Sequence, residues 1–130
     1  GTVDLFLTTR NIHNLIWSPG RLDKTFNDAF IALKPGGILA IEEHRSDPRP
    51  MAPEARDGYV SEVYVIDAAQ KAGFVLDARS ELNANPKDSA NWPDGVWTLP
   101  PALRLKDVDR AKYEVIGESD RMTLLFKKRP

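Results

Sequence analysis

Apolar and polar positions change spacing several times along this chain, and each change marks an element. Val3 to Thr8 is dense in aliphatic, aromatic and β-branched residues and predicts a strand. Leu22, Phe26, Ala29, Phe30 and Leu33 then recur at helical spacing, with Ser18-Pro19 as the expected start. Pro35 cannot continue a helix, and the pair Gly36-Gly37 supplies the left-handed backbone of a helix stop. Ile38 to Ile41 is a short continuous apolar run, the pattern of a strand covered on both faces, and Glu42, Glu43 and His44 follow at its carboxyl end. Residues 46–58 are too broken by Pro48, Pro50 and Pro53 to be regular. Ser61 is a helix cap for a face of Val65, Ile66, Ala69 and Ala72, and Gly73 ends that helix before a strand over Phe74 to Arg79. Residues 83–120 carry Trp92, Pro93, Trp97, Pro100 and Pro101 without a clear period, and predict an irregular, lid-like insertion. The last strand, Arg121 to Lys128, alternates with Met122, Leu124 and Phe126 on one face.

Strands alternating with helices predict an α/β domain spanning residues 1–130. Two parallel strands would deliver polar groups to one sheet rim: Arg10, Asn11, His13 and Asn14 after the first, Glu42, Glu43 and His44 at the end of the second. Open α/β sheets place ligand pockets at that rim. His13 or His44 can act there as a general base on a hydroxyl, amine or acidic carbon, or each can be a rim residue held by backbone hydrogen bonds. His13, His44 and a glutamate also have the residue types of a two-His, one-carboxylate metal site. Glu42 and Glu43, however, point to opposite faces of an extended segment and nothing reinforces the set, so no metal is expected. The aromatic segment 92–103 is either a substrate lid or packing of Trp92, Trp97 and Leu99 over the sheet. Ser119, Asp120 and Arg121 read as a salt-bridged turn into the last strand, with no nucleophile implied.

Composition narrows the partners. With 130 residues, 42% of them hydrophobic, the chain can build a core, and a formal charge of −1 leaves no basic footprint for nucleic acid. It has no Cys, hence no disulfide framework or thiolate site. The lack of Cys fits a bacterial, cytoplasmic protein; no apolar run reaches membrane-spanning length and no signal peptide is visible.

The stretch "LKPGGILAIEEH" (33–44) resembles the junction of the fourth helix and fifth strand in class I S-adenosylmethionine-dependent methyltransferases. "VDLFLTTRNIHNLIW" (3–17) is similar to their fourth strand and active-site loop, and "AAQKAGFVLDARSEL" (68–82) to their last helix and sixth strand. "NPKD" (85–88) and "IGESDRMTLLFKK" (116–128) resemble the tail of a bacterial group of predicted methyltransferases. The resemblance implies half of a Rossmann-like sheet, about four mixed strands, with the last inserted antiparallel between the second and third. It implies that Thr8, Arg10 and Asn11 border the methionine end of the cofactor. His13, Asn14, Glu43, His44 and Trp97 would face the methyl acceptor, the His and Glu as catalytic residues. The glycine-rich turn after a first strand and the acidic end of a second are missing from this sequence. The expectation is therefore the carboxyl half of such a domain, by truncation, proteolysis or design. S-adenosylmethionine would be bound by a complete parent, with no cofactor for this chain alone. Val3 to Thr8 would lie at a sheet edge, and an unprotected apolar edge invites a homodimer. Two functions stay open: the acceptor-binding half of a methyltransferase, inactive alone, or a non-catalytic dimeric module that binds a small molecule or partner at the same rim.

Overall fold

The computed structural model describes residues 1–130. Four strands form one mixed sheet in the order β1-β2-β4-β3: β1 Val3–Thr9, β2 Leu33–His44, β3 Val75–Ser80 and β4 Arg121–Lys127. β1 and β2 run parallel through a helical crossover, and β4 lies antiparallel between β2 and β3, as expected. The helices are α1 Ile12–Ile16, α2 Arg21–Ala32, α3 Glu62–Lys71 and α4 Arg110–Ile116.

One sheet face is covered and the other is open. Leu39 and Ile41 of β2 and Met122, Leu124 and Phe126 of β4 are buried with Leu22, Phe26 and Ala29 of α2 and Val65 and Ala69 of α3. These are the positions where period 2 on a strand and period 3.6 on a helix put side chains on one face. On β1, Phe6 packs against this core, whereas Val3, Leu5 and Leu7 alternate to the other face and stay exposed, Leu5 at 53% and Leu7 at 61%.

Several boundaries differ from the sequence reading for local reasons. Ser18 to Gly20 form a turn, with the Arg21 N–H donating to the Ser18 carbonyl at 3.0 Å, so α2 starts at Arg21 and not at Ser18-Pro19. The chain becomes extended at Leu33, directly after α2, so the glycine pair does not cap the helix. Gly36, at φ +83°, instead sits where the β1–β2 register slips between Val3↔Leu33 and Leu5↔Ile38, a bulge that a side chain would strain. Lys128 Nζ takes over the end of α2, donating to the carbonyls of Phe30 and Leu33 at 2.6 and 2.7 Å. Ser61 caps α3 as expected, its hydroxyl accepting from the Tyr64 N–H at 3.3 Å.

Residues 83–120 are more ordered than an irregular insertion: they contain a single 3-10 turn at Gly95–Thr98 and the helix α4. Asp88 holds the segment. Its carboxylate accepts from the Tyr59 hydroxyl at 2.8 Å, Trp92 Nε1 at 2.7 Å, and the backbone N–H groups of Ala90 and Asp120 at 2.8 Å each. Asn85 Nδ2 donates to the carbonyls of Ile116 and Glu118 at 2.8 and 2.7 Å, which ties the two ends of the segment together. Gly95, at φ +58°, lets the 3-10 turn dock on residue 57, since a Cβ there would lie 2.3 Å from the Asp57 carbonyl oxygen. Arg45, next after β2, donates to Asp120 at 2.9 and 3.0 Å and to Glu62 at 3.0 Å, joining the ends of β2 and β4 to α3.

Candidate functional site

The rim at the carboxyl ends of β1 and β2 is built around Glu43, which has no exposed surface. Its Oε2 accepts from the His13 backbone N–H at 2.8 Å and lies 3.0 Å from His13 Nδ1, while Oε1 accepts from the His44 N–H at 2.8 Å. A carboxylate beside Nδ1 favours the tautomer that carries a proton there and leaves the Nε2 lone pair free, a geometry shared with His–carboxylate pairs in general. Its placement follows from the chain: β1 ends at Thr9, Arg10 turns the backbone at φ +48°, and α1 begins at once, so His13 stands over the end of β2.

His44 is a different kind of histidine. Its Nδ1 is 2.5 Å from the Ser119 hydroxyl, and burial, followed by the charges of His13, Arg121 and Arg10, pushes its pKa down to about 3. At neutral pH it is an uncharged hydrogen-bonding group and a very weak base. A histidine held neutral in this way is a poor proton acceptor, whereas His13 stands beside Glu43 on the same rim.

His13 and His44 open onto a cavity of about 500 Å³, together with Arg10, Asn14, Trp17 and Trp97. Arg104, Ser119 and Arg121 complete its polar wall, with Glu118 as its one acidic residue. The His13 ring meets Trp17 edge-on at 5.4 Å and Trp97 at 6.0 Å, and the two indoles are 6.1 Å apart. Of the residues expected at this site, the structure thus gathers Arg10, His13, Asn14, His44 and Trp97. Thr8 lies in the β1 ladder opposite Ile41, and the Asn11 side chain accepts from Asn14 Nδ2 at 2.9 Å; neither lines the cavity. Glu43 sits behind His13 and positions it without facing the ligand space.

Trp17, Arg104, Ser119 and Arg121 were not singled out as site residues by sequence. Trp17 lies four residues after His13, one helical turn on, which is the signal that was available. Ser119 and Arg121 do form a polar turn, Arg121 pairing with Glu118 at 3.1 Å, but Asp120 turns away to Arg45.

His13, Glu43 and His44 could offer metal-ligand atoms within 4.8 Å of one another. Glu43 already accepts two backbone N–H groups and faces His13 Nδ1, so the trio is satisfied as a hydrogen-bonded relay and a metal would have to break it.

No family model matches the sequence, and no curated protein matches it. Solved structures do. The (4+2)-cyclase SpnF superposes at a TM-score of 0.62 with 16% identity, covering 97% of this chain and 50% of its own. An S-adenosylmethionine-dependent methyltransferase from Methanosarcina mazei gives 0.58 at 12% identity, covering 98% and 60%. A putative S-adenosylmethionine-dependent methyltransferase from Listeria monocytogenes gives 0.52 at 16%, covering 98% and 62%. The fold is methyltransferase-like. The chain spans between half and about three-fifths of the length of these structures. No helix is long and apolar enough to cross a membrane.

The resemblance places the methionine end of S-adenosylmethionine at Thr8, Arg10 and Asn11. Two of the three residues expected against its methionine end, Thr8 and Asn11, lie outside the cavity, and the third, Arg10, is paired with Glu42 at 3.1 Å. The one glycine pair forms the bulge at the start of β2, where no helix N-terminus faces a ligand.

Proposed function

We propose that this chain forms the acceptor-binding part of an S-adenosylmethionine-dependent methyltransferase, with His13 as the general base. The observation that carries this reading is the buried His13–Glu43 pair on the wall of the rim cavity. S-adenosylmethionine, held by a complete enzyme, supplies the electrophilic methyl group. His13 Nε2 takes the proton from the acceptor, Glu43 holds the imidazole and stabilises the charge it acquires, and His44 and Asn14 orient the acceptor as neutral hydrogen-bonding groups. In the complete enzyme, His13→Ala lowers kcat for methyl transfer by about 10²-fold or more at unchanged melting temperature. A variant as active as wild type refutes the reading, as does a loss of activity fully explained by unfolding. For the chain alone, the reading predicts that titration calorimetry finds no S-adenosylmethionine binding tighter than about 100 μM, roughly −5.5 kcal/mol.

A second reading has its own support. The exposed aliphatic residues of the β1 edge, Val3, Leu5 and Leu7, favour a dimeric module in which a second copy covers that edge, with the rim cavity serving to bind a small molecule without catalysis.

A further inference from the structure

The rim cavity combines two features that together restrict what fits it. The first is an aromatic wall: Trp17 and Trp97 with His13 edge-on to both, continued by Val96, Pro100 and Pro101. The indole centroids, 6.1 Å apart, are too close to admit a ring between two parallel faces at van der Waals distance, so a planar ligand lies along this wall. The second is a surplus of hydrogen-bond donors. Arg10 commits only Nη1 to Glu42 and Arg104 only Nη1 to Asp94, while Arg121 commits Nε to Ser119 and Nη2 to Glu118. The remaining guanidinium nitrogens have no protein partner, and Glu118 is the only carboxylate in the wall.

Aromatic walls also bind ammonium and sulfonium cations, so the sign of the charge decides between ligands. Here the Trp97 face already carries a cation, because the Arg104 guanidinium stands 4.9 Å from its ring centroid. A second cation would meet three guanidinium groups, whereas an anion would find their unused N–H donors in fork geometry. The pKa of His44 is depressed first by burial and then by the charges of His13, Arg121 and Arg10, and the two arginine contributions agree with a positive local potential.

We propose that the cavity takes a planar aromatic acid bearing a hydroxyl, its ring along Trp17 and Trp97, its carboxylate on the free N–H groups of Arg121 and Arg10, and its hydroxyl at His13. This rests on the reading of His13 as the base facing the acceptor, which defines where the hydroxyl goes. The charge preference itself needs no catalysis. It is measured on the chain alone by calorimetry and tryptophan quenching with three probes of one shape: 4-hydroxybenzoate, 4-hydroxybenzyl alcohol and tyramine. The expected result is that 4-hydroxybenzoate binds at least about tenfold more tightly than the neutral alcohol, about 1.4 kcal/mol, with tyramine weakest. Arg10→Gln and Arg121→Gln each erase most of that advantage, whereas Arg110→Gln, whose side chain pairs with Glu114 on the exposed face of α4, keeps it. Equal or tighter binding of the alcohol or of tyramine overturns the proposal, and so does no detectable binding of 4-hydroxybenzoate up to about 10 mM. The wild-type comparison stands even if an arginine variant fails to fold. If the three probes bind alike while His13→Ala still abolishes methyl transfer, the acceptor class is wrong and the catalytic reading survives; the reverse pattern separates the two in the other direction.

Discussion

Glu43 and His44 are neighbours on β2 in opposite electrostatic surroundings, and the difference comes from what each is buried against. Glu43 is fully buried with N–H donors on both oxygens, so its charge is compensated where it stands. His44 is buried beside positive groups, which favours its neutral form. The consequence for stability has a definite sign. Between pH 6.5 and about 3 the unfolded chain takes up a proton at residue 44 that the folded chain refuses. The unfolded state then binds more protons, so stability is present above the unfolded pKa and falls as pH drops through that window, by up to about 1.4 kcal/mol per pH unit from this group. His44→Gln keeps a partner for Ser119 and removes the titration. Urea unfolding between about pH 4 and 6, a span inside the window set by the two pKa values, is expected to show a shallower pH dependence in the variant. Identical slopes would mean that His44 is not held neutral. Sequence alone could name His13, Glu43 and His44 as rim residues. It could not separate the proposed roles of base, positioning group and neutral donor, because those depend on burial and on Ser119, which lies 75 positions away from His44.

At the scale of elements, what was legible followed the strength of the apolar period. α2 buries Leu22, Phe26 and Ala29, α3 Val65 and Ala69, and β4 Met122, Leu124 and Phe126, with Phe30, Ile66 and Ala72 half-buried at their margins, and the Ser61 cap holds. α4 buries only Tyr113 and so carries no apolar stripe to read. The glycine pair after Pro35 suggested a helix stop, but the helix had already ended and the glycine was needed for the bulge in β2. The segment 83–120 looked irregular since its order comes from side chain to backbone hydrogen bonds centred on Asp88, which have no sequence period. Asp88→Ala leaves the buried Tyr59 hydroxyl and the Asp120 N–H without partners, at about 1–3 kcal/mol for each orphaned group. The expected outcome is faster hydrogen exchange and new proteolytic cuts confined to residues 83–120, with β1, β2 and α2 protected as before. Uniform destabilisation of the whole chain, or no change, would argue against Asp88 as the hub of that segment.

For the whole molecule, the sheet order and the edge position of β1 follow from pattern and resemblance together, and the open face explains why self-association remains attractive as a proposal. Val3, Leu5 and Leu7 share the uncovered side of an edge strand. Light scattering at tens of micromolar is expected to give a dimer, and Leu5→Lys a monomer, since a charge on that face disfavours a covering partner. A wild-type monomer would remove the second copy from the account, and a dimeric variant would move the interface to another surface. Neither outcome bears on the chemistry proposed at the rim, which depends on His13. That chemistry is tested most directly by chemical rescue of His13→Ala in the complete enzyme, measuring methyl transfer from S-adenosylmethionine against added imidazole and pH. The account predicts a loss of about 10²-fold that imidazole partly restores, with a pH dependence that follows the added base. A variant that keeps wild-type activity, or one whose loss imidazole leaves untouched while the protein stays folded, would contradict it.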